Sequence, residues 1–211
     1  MGIGMKIESK GGEFFVERKL EGLDLFCMDF CKILNAQGLQ YVIVSGYVSI
    51  LFGRSRNSED IDLILGKLGM ESFARLWEAL QENFECINAG TAEEAYGYLT
   101  DPKEGHSIRF AKKGEFVPNV ELKFPKESLD LWSLQKRKQA TLNGFGLFIS
   151  PLELQIPYKL LLGSDKDYED ALHIYRLFQD TLDKGLMEGF AERLKVSRKL
   201  SDIYEGKAPE G

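Results

Sequence analysis

Two aspartates, Asp60 and Asp62, are separated by one residue in the segment SEDIDLIL, which has the apolar character of a strand. Side chains two positions apart on a strand point to the same face, so the two carboxylates can bind one cation together. Carboxylate oxygens are the ligands that Mg²⁺ and Mn²⁺ prefer in proteins. The pair therefore predicts a divalent-cation site on one face of a strand.

The residues before this pair predict a phosphate pocket. An apolar strand over 41–44 breaks at Ser45 and Gly46, a short helix follows to about Phe52, and a polar loop then carries Arg56 and Ser58. Glycine allows backbone to approach a phosphate closely. A guanidinium and a hydroxyl in the loop can hold phosphate oxygens. This unit places a phosphate pocket next to the predicted cation site.

This order of elements resembles the DNA polymerase β-type nucleotidyltransferase superfamily. Its small members have an apolar strand, Gly-Gly or Gly-Ser, a short helix, an Arg-bearing loop and Asp-x-Asp; the chain departs from that pattern at Ser45, where the first glycine is usual. The family also uses a third carboxylate from a strand next to the Asp-x-Asp strand, and Glu121 in the alternating segment 117–124 has this context. The resemblance implies that Asp60, Asp62 and Glu121 are the catalytic and metal-binding residues. The alternative for Glu121 is a solvated side chain paired with a surface cation.

The segment 150–175 supplies a second resemblance, to small nucleotidyltransferases of the abortive-infection-toxin type. These carry a helix with a lysine, followed by Lys/Arg-Asp-x-x-Asp at the start of the next helix; the matching residues are Lys159, Lys166, Asp167 and Asp170. The resemblance implies that Lys159 binds the triphosphate and that Asp167 or Asp170 orients it or assists as a base. The alternative for both aspartates is helix N-terminal charge, which stabilises a helix without chemistry.

The implied reaction is Mg²⁺- or Mn²⁺-dependent transfer of a nucleoside monophosphate from a nucleoside triphosphate (NTP) to a hydroxyl, with release of pyrophosphate. The acceptor stays open among an RNA such as a tRNA 3′ end, a protein hydroxyl and a small molecule. A toxin-like chain would also have an antitoxin-like protein partner. Two alternatives remain: a non-catalytic descendant of the fold that binds nucleotide or a partner protein, and a scaffold whose acidic strand is coincidental.

Composition limits the partners. The chain has 211 residues, of which 44% are apolar and 28% charged, so it can bury a substantial core. Its formal charge of −6 disfavours non-specific nucleic-acid binding over a broad basic face, although a local basic groove stays open. No secretory signal pattern opens the sequence and no apolar run has the length of a membrane span, so we expect a cytoplasmic protein without a membrane partner.

The predicted fold is α/β (α+β), a small mixed sheet flanked by helices with a helical C-terminal region. We expect a loose N-terminus over 1–12, a nucleotidyltransferase-like core over 13–149, helices packed on that core over 150–204, and a disordered tail over 205–211. Apolar residues at helical spacing from Phe14 onwards predict a first helix that ends near Gly38. Asn143 and Gly144 between two apolar segments predict a β-hairpin.

Overall fold

The fold is a mixed β-sheet covered by helices, in a computed structural model that describes residues 4–101 and 105–207. The described residues contain nine strands: β1 (Lys6–Lys10), β2 (Glu13–Glu17), β3 (Tyr41–Val44), β4 (Asp60–Leu65), β5 (Phe84–Cys86), β6 (Ile108–Lys112), β7 (Asn119–Lys123), β8 (Lys138–Leu142) and β9 (Phe145–Ile149). They also contain nine helices: α1 (Gly22–Ala36), α2 (Gly46–Leu51), α3 (Met70–Leu80), α4 (Ala92–Thr100), α5 (Ser128–Gln135), α6 (Leu152–Leu162), α7 (Asp165–Phe178), α8 (Lys184–Arg193) and α9 (Ser197–Tyr204).

The strands join into one sheet in the order β1-β2-β8-β9-β3-β4-β7-β6-β5. Three pairs are parallel, β2 with β8, β3 with β9 and β4 with β7, and the other five are antiparallel. The predicted α+β mixed-sheet class is therefore confirmed. The hairpin predicted at Asn143 and Gly144 joins β8 to β9, and both residues have a positive φ as such a turn requires.

The central strands have two different faces. On β4, Ile61, Leu63 and Leu65 are buried in the main apolar core. Asp60, Asp62 and Ile64 alternate with them and therefore lie on the opposite face, where Ile64 packs with Val42 and Leu134 in a smaller cluster. The core thus fixes the register that leaves both aspartates on the less buried face.

The N-terminal predictions were wrong in two respects. Lys6–Lys10, expected to be loose, forms edge strand β1, and the helix predicted from Phe14 begins only at Gly22. Between them β2 alternates buried Phe14 and Val16 with exposed residues, and it pairs in parallel with β8. Residues 13–17 therefore follow the two-residue alternation of a strand and not helical spacing, because the neighbouring strand β8 offers an apolar face.

The C-terminal helices pack against one another, and α7 also packs against α2. His173 of α7 is hydrogen-bonded through Nε2 to the carbonyl oxygen of Phe52, 2.9 Å away. The tail predicted to be disordered covers 205–211, of which residues 208–211 lie outside the described residues. Lys207, the last described residue, accepts a 2.9 Å hydrogen bond at its carbonyl oxygen from the Tyr168 hydroxyl.

Candidate active site

The three predicted carboxylates lie on two adjacent parallel strands. In the register of β4 and β7, Asp62 is opposite Glu121 and Asp60 is opposite Asn119. Directly opposed residues on neighbouring strands share a face. Asp60, Asp62 and Glu121 therefore lie on one face of the sheet, as the alternation on each strand predicts.

The surroundings of Asp62 disfavour its charged form. Burial, the nearby Asp60 carboxylate and, to a smaller extent, Glu121 raise the pKa of Asp62 above its ordinary value. The nearby Ser45 hydroxyl and the charge of Lys159 lower the pKa of Asp62, but the net shift is upward. A carboxylate with a raised pKa gains from any cation brought next to it. The local charge therefore favours a cation at this position.

Glu121 is engaged by neighbouring side chains. One carboxylate oxygen accepts a 2.7 Å hydrogen bond from the Ser107 hydroxyl and the other a 2.8 Å bond from Arg109. The Arg109 side chain is 49% exposed, so this ion pair is close to solvent. Across residues 4–101 and 105–207, no three His, Cys, Asp or Glu side chains are placed so that they could hold a metal ion. In this conformation Asp60, Asp62 and Glu121 do not converge on one point where they could hold a metal ion together.

Asn119 adds another oxygen on the same face. It is 6% exposed, and its side-chain oxygen has no hydrogen-bond partner, whereas its amide nitrogen donates to the carbonyl of Phe116 at 3.4 Å. A buried acceptor without a donor is costly. Asn119 is opposite Asp60 in the strand register, so its side chain lies on the face that carries the two aspartates.

The turn after β3 has an unusual backbone at Ser45, with φ 61° and ψ −133°. That region favours glycine, because a Cβ crowds the backbone there. Gln155 of α6 holds the turn from the other side: its amide nitrogen donates to the Ser45 carbonyl at 2.7 Å, and its oxygen accepts from the Ser45 N–H at 3.3 Å. A buried helix side chain thus fixes both backbone groups of Ser45.

Gly46 allows Arg56 to approach the turn. A Cβ built on Gly46 would be 2.9 Å from a terminal nitrogen of Arg56, which is closer than real Cβ contacts permit. Arg56 in turn forms an ion pair with Asp170 of α7. The absence of a side chain at Gly46 therefore leaves room for a guanidinium beside the turn.

Lys159 lies in a buried ionic network. Its side chain is 2% exposed, and its ammonium nitrogen is 2.7 Å from Asp167 and 3.0 Å from Asp170. Asp170 is fully buried and also pairs with Arg56, with Arg54 3.7 Å away. The ion pair with Lys159 and the Ser164 hydroxyl lower the pKa of Asp167, against the effect of its partial burial. Charges of both signs balance in this network.

Ser58 supports the start of β4. Its hydroxyl is 3.1 Å from the carbonyl oxygen and 3.2 Å from a carboxylate oxygen of Asp60. Lys166, by contrast, is exposed on α7.

The structure therefore groups the predicted residues in two sets. Asp60, Asp62 and Glu121 share a sheet face, with Ser58 bonded to Asp60 and Ser45 close to Asp62. The second set is Arg56, Lys159, Asp167 and Asp170, with Gly46 against Arg56. The charge of Lys159 acts on Asp62, so the two sets are neighbours.

Sequence reasoning missed five residues of this site: Arg54, Ser107, Arg109, Asn119 and Gln155. One had a usable signal. Gln155 is four residues before Lys159 on α6, so these two polar side chains lie on the same helical face.

The comparisons with known proteins bear on the fold. No protein-family model matches the chain, and neither does any curated protein. Among solved structures, the chain resembles the crystal structure of an antigenic nucleotidyltransferase-like protein from Paracoccidioides brasiliensis. The two chains are 19% identical, the match covers 90% of this chain and 96% of the other, and the TM-score is 0.51. At this identity the likeness shows the fold alone, which is nucleotidyltransferase-like. Within the described residues, every helix is too short or too polar to cross a membrane.

Proposed function

We propose that this protein transfers a nucleoside monophosphate from an NTP to an acceptor hydroxyl, with the help of Mg²⁺ or Mn²⁺. One observation supports this most directly: two like-charged aspartates share a sheet face with Glu121, next to the strained Ser45 turn. Such crowding of acidic groups is unfavourable without a cation. The nucleotidyltransferase-like fold supports the same proposal.

The acidic residues would hold the divalent cation, with Asp60 and Asp62 as its first ligands and Asn119 as a further oxygen donor. The metal would offset charge on the triphosphate and lower the pKa of the acceptor hydroxyl. Glu121 is in register to join them once its bonds to Arg109 and Ser107 are released.

The protein's other residues position the triphosphate. Arg56 beside Gly46 offers a guanidinium, and Gln155 fixes the Ser45 backbone so that the turn keeps its shape. In the transfer step, the acceptor oxygen forms a bond to the α-phosphorus, and the bond from that phosphorus to the bridging oxygen of pyrophosphate breaks. The hydroxyl proton passes to a carboxylate of the acidic face, and pyrophosphate leaves.

The ionic network supports this positioning. Lys159 is charged and lies close enough to act on Asp62, but Asp167 and Asp170 already bind it. We therefore propose that Lys159 contributes charge across a short distance, that Asp170 holds Arg56 and Lys159 in place, and that Asp167 orients Lys159.

The test is calorimetric titration of the protein with each of the four ribonucleoside triphosphates, with and without Mg²⁺. We expect metal-dependent binding of at least one NTP, lost in the Asp60→Ala/Asp62→Ala variant. The matched control is Glu13→Ala/Glu17→Ala, which removes two exposed carboxylates from one face of β2 and should bind as the wild type does. No binding of any NTP would refute the proposal.

A second candidate is a protein with the same fold that binds nucleotide without turnover. The engagement of Glu121 by both Ser107 and Arg109 favours it, because a third carboxylate held by an arginine is unavailable to a metal. Labelled-nucleotide transfer separates the two: metal-dependent binding with no labelled product and no pyrophosphate release from any acceptor class would favour the second candidate.

A further inference from the structure

A groove begins at the edge of the acidic face. Ser58 and Glu59, directly before the acidic strand, line a cavity of about 550 Å³ together with the start of α1 and the loop between β6 and β7. Ser58 is bonded to Asp60, and the carbonyl of Glu59 accepts a 2.9 Å hydrogen bond from the N–H of Asn119. The groove therefore meets the acidic face at Ser58, where β4 begins, while α1 packs against the main core on the other side of the sheet.

The walls of this groove are apolar and exposed. Leu25 on α1 and Val117 in the loop are each 51% exposed, and Phe116, the neighbour of Val117, is 74% exposed. Single exposed apolar residues are ordinary on a protein surface, but several around one concave site indicate an interaction surface.

The rim of the groove is acidic. Glu59 and Glu115 line it and are exposed, and the one lysine in the lining, Lys112, is paired with Asp29 at 2.7 Å. This charge repels the phosphates of a nucleic acid, which proteins bind mainly with Lys and Arg. It attracts a segment that carries lysine or arginine.

We propose that this groove binds the acceptor, and that the acceptor is a basic, apolar polypeptide segment carrying a serine, threonine or tyrosine hydroxyl. Apolar side chains of the segment would contact Leu25 and Val117, its cations would face Glu59 and Glu115, and its hydroxyl would enter the site past Ser58. This inference rests on the proposed function for the chemistry, but the groove can be tested without it.

The probe is a fluorescent peptide of alternating leucine and lysine with one central serine, measured by anisotropy at physiological salt and without nucleotide. Comparison probes replace every lysine by glutamate or are single-stranded RNA of the same length. We expect the basic peptide to bind at least about tenfold more tightly than either, because the charge complements the rim. Equal or tighter binding of the RNA or of the acidic peptide would overturn the proposal, as would no measurable binding of the basic peptide.

Surface variants locate the binding. Leu25→Gln/Val117→Thr should weaken peptide binding by about tenfold, through loss of apolar contact at two exposed positions. Glu59→Lys/Glu115→Lys should abolish the preference for the basic peptide. The matched control is Leu186→Gln, at an exposed apolar position on α8, which should bind as the wild type does. Unchanged binding in both groove variants would overturn the assignment.

The two proposals can fail separately. Peptide binding that depends on the groove, in a protein that binds no NTP, would leave the surface in place and refute the proposed reaction. Metal-dependent NTP binding without groove-dependent peptide binding would do the reverse. If both hold, labelled nucleotide should be transferred to the serine peptide and not to its alanine counterpart.

Discussion

The acidic face and the ionic network lie side by side, and they differ in how the charges of their carboxylates are balanced. On the acidic face, Asp60, Asp62 and Glu121 share a sheet face, and the pKa of Asp62 is raised as a result. In the network, each carboxylate has a cation: Asp167 has Lys159, and Asp170 has both Lys159 and Arg56. The ionic network therefore stabilises the fold through paired charges, whereas the acidic face would be stabilised by a cation from solution.

The largest effect should come from the centre of the network. Asp170 is fully buried between three cations, so Asp170→Ala leaves Lys159 and Arg56 without their shared counter-charge. Removing one partner of a buried ion pair costs about 3–5 kcal/mol, and we expect the free energy of unfolding to fall by that amount. Urea denaturation measures it. The matched control is the adjacent Glu169→Ala, which breaks an exposed pair with Arg54 and should cost less than about 1 kcal/mol. Equal losses in the two variants would mean that the network is not the stabilising set.

On the acidic face, Asp62→Asn should lower activity without lowering stability. We expect nucleotide transfer to fall by about a hundredfold or more, since a group that stabilises transition-state charge is lost. Stability should not fall. The pKa of Asp62 is raised in the folded protein, so the wild type loses stability as pH rises through that pKa, and the variant does not. The variant should therefore gain in melting temperature relative to the wild type between acidic and neutral pH. A variant that melts lower than the wild type at neutral pH, without metal, would show that the acidic face is not strained.

The turn between the two regions can be tested for strain. Ser45 has a backbone conformation that glycine adopts more easily, while its hydroxyl lowers the pKa of nearby Asp62. Ser45→Gly and Ser45→Ala both remove the hydroxyl, but only the glycine relieves the backbone. We expect the glycine variant to be more stable than the alanine variant by about 1–2 kcal/mol in thermal denaturation. No difference between them would show that Gln155 and the surrounding helices impose no cost at this turn.

The sequence was most informative where contacts are local. The strand, turn, helix and acidic strand over 41–65 follow from alternation, a glycine and short spacings, and the structure confirms them. The edge strand β1 and strand β2 could not be read in the same way, because β2 takes its place from β8, about 125 positions later in the chain. Phe14 fits both the predicted helix stripe and a strand face until that partner is known.

Within the site, the same limit applies to single side chains. The alternation on β7 places Glu121 on the face of the aspartates, but its bonds to Ser107 and Arg109 depend on the register with β6. Gln155 reaches Ser45 across 110 residues of sequence. Sequence spacing gives the face on which a residue lies, whereas its partner depends on how distant strands and helices pack.

Replacing Arg109 tests whether Glu121 can join Asp60 and Asp62 in binding a cation. Because its ion pair with Glu121 is half exposed, Arg109→Gln should change the free energy of unfolding by less than about 1 kcal/mol. The variant frees a carboxylate in register with Asp62, so Mn²⁺ affinity should rise by up to about fivefold, the equivalent of that energy. Calorimetric titration with Mn²⁺ measures it, and Arg75→Gln, which breaks an exposed pair with Glu71 on α3, is the matched control. A lower affinity would show that Arg109 holds Glu121 in the orientation that the metal needs. In that case the arginine belongs to the cation site, and the acidic face is less unbalanced than its three carboxylates suggest.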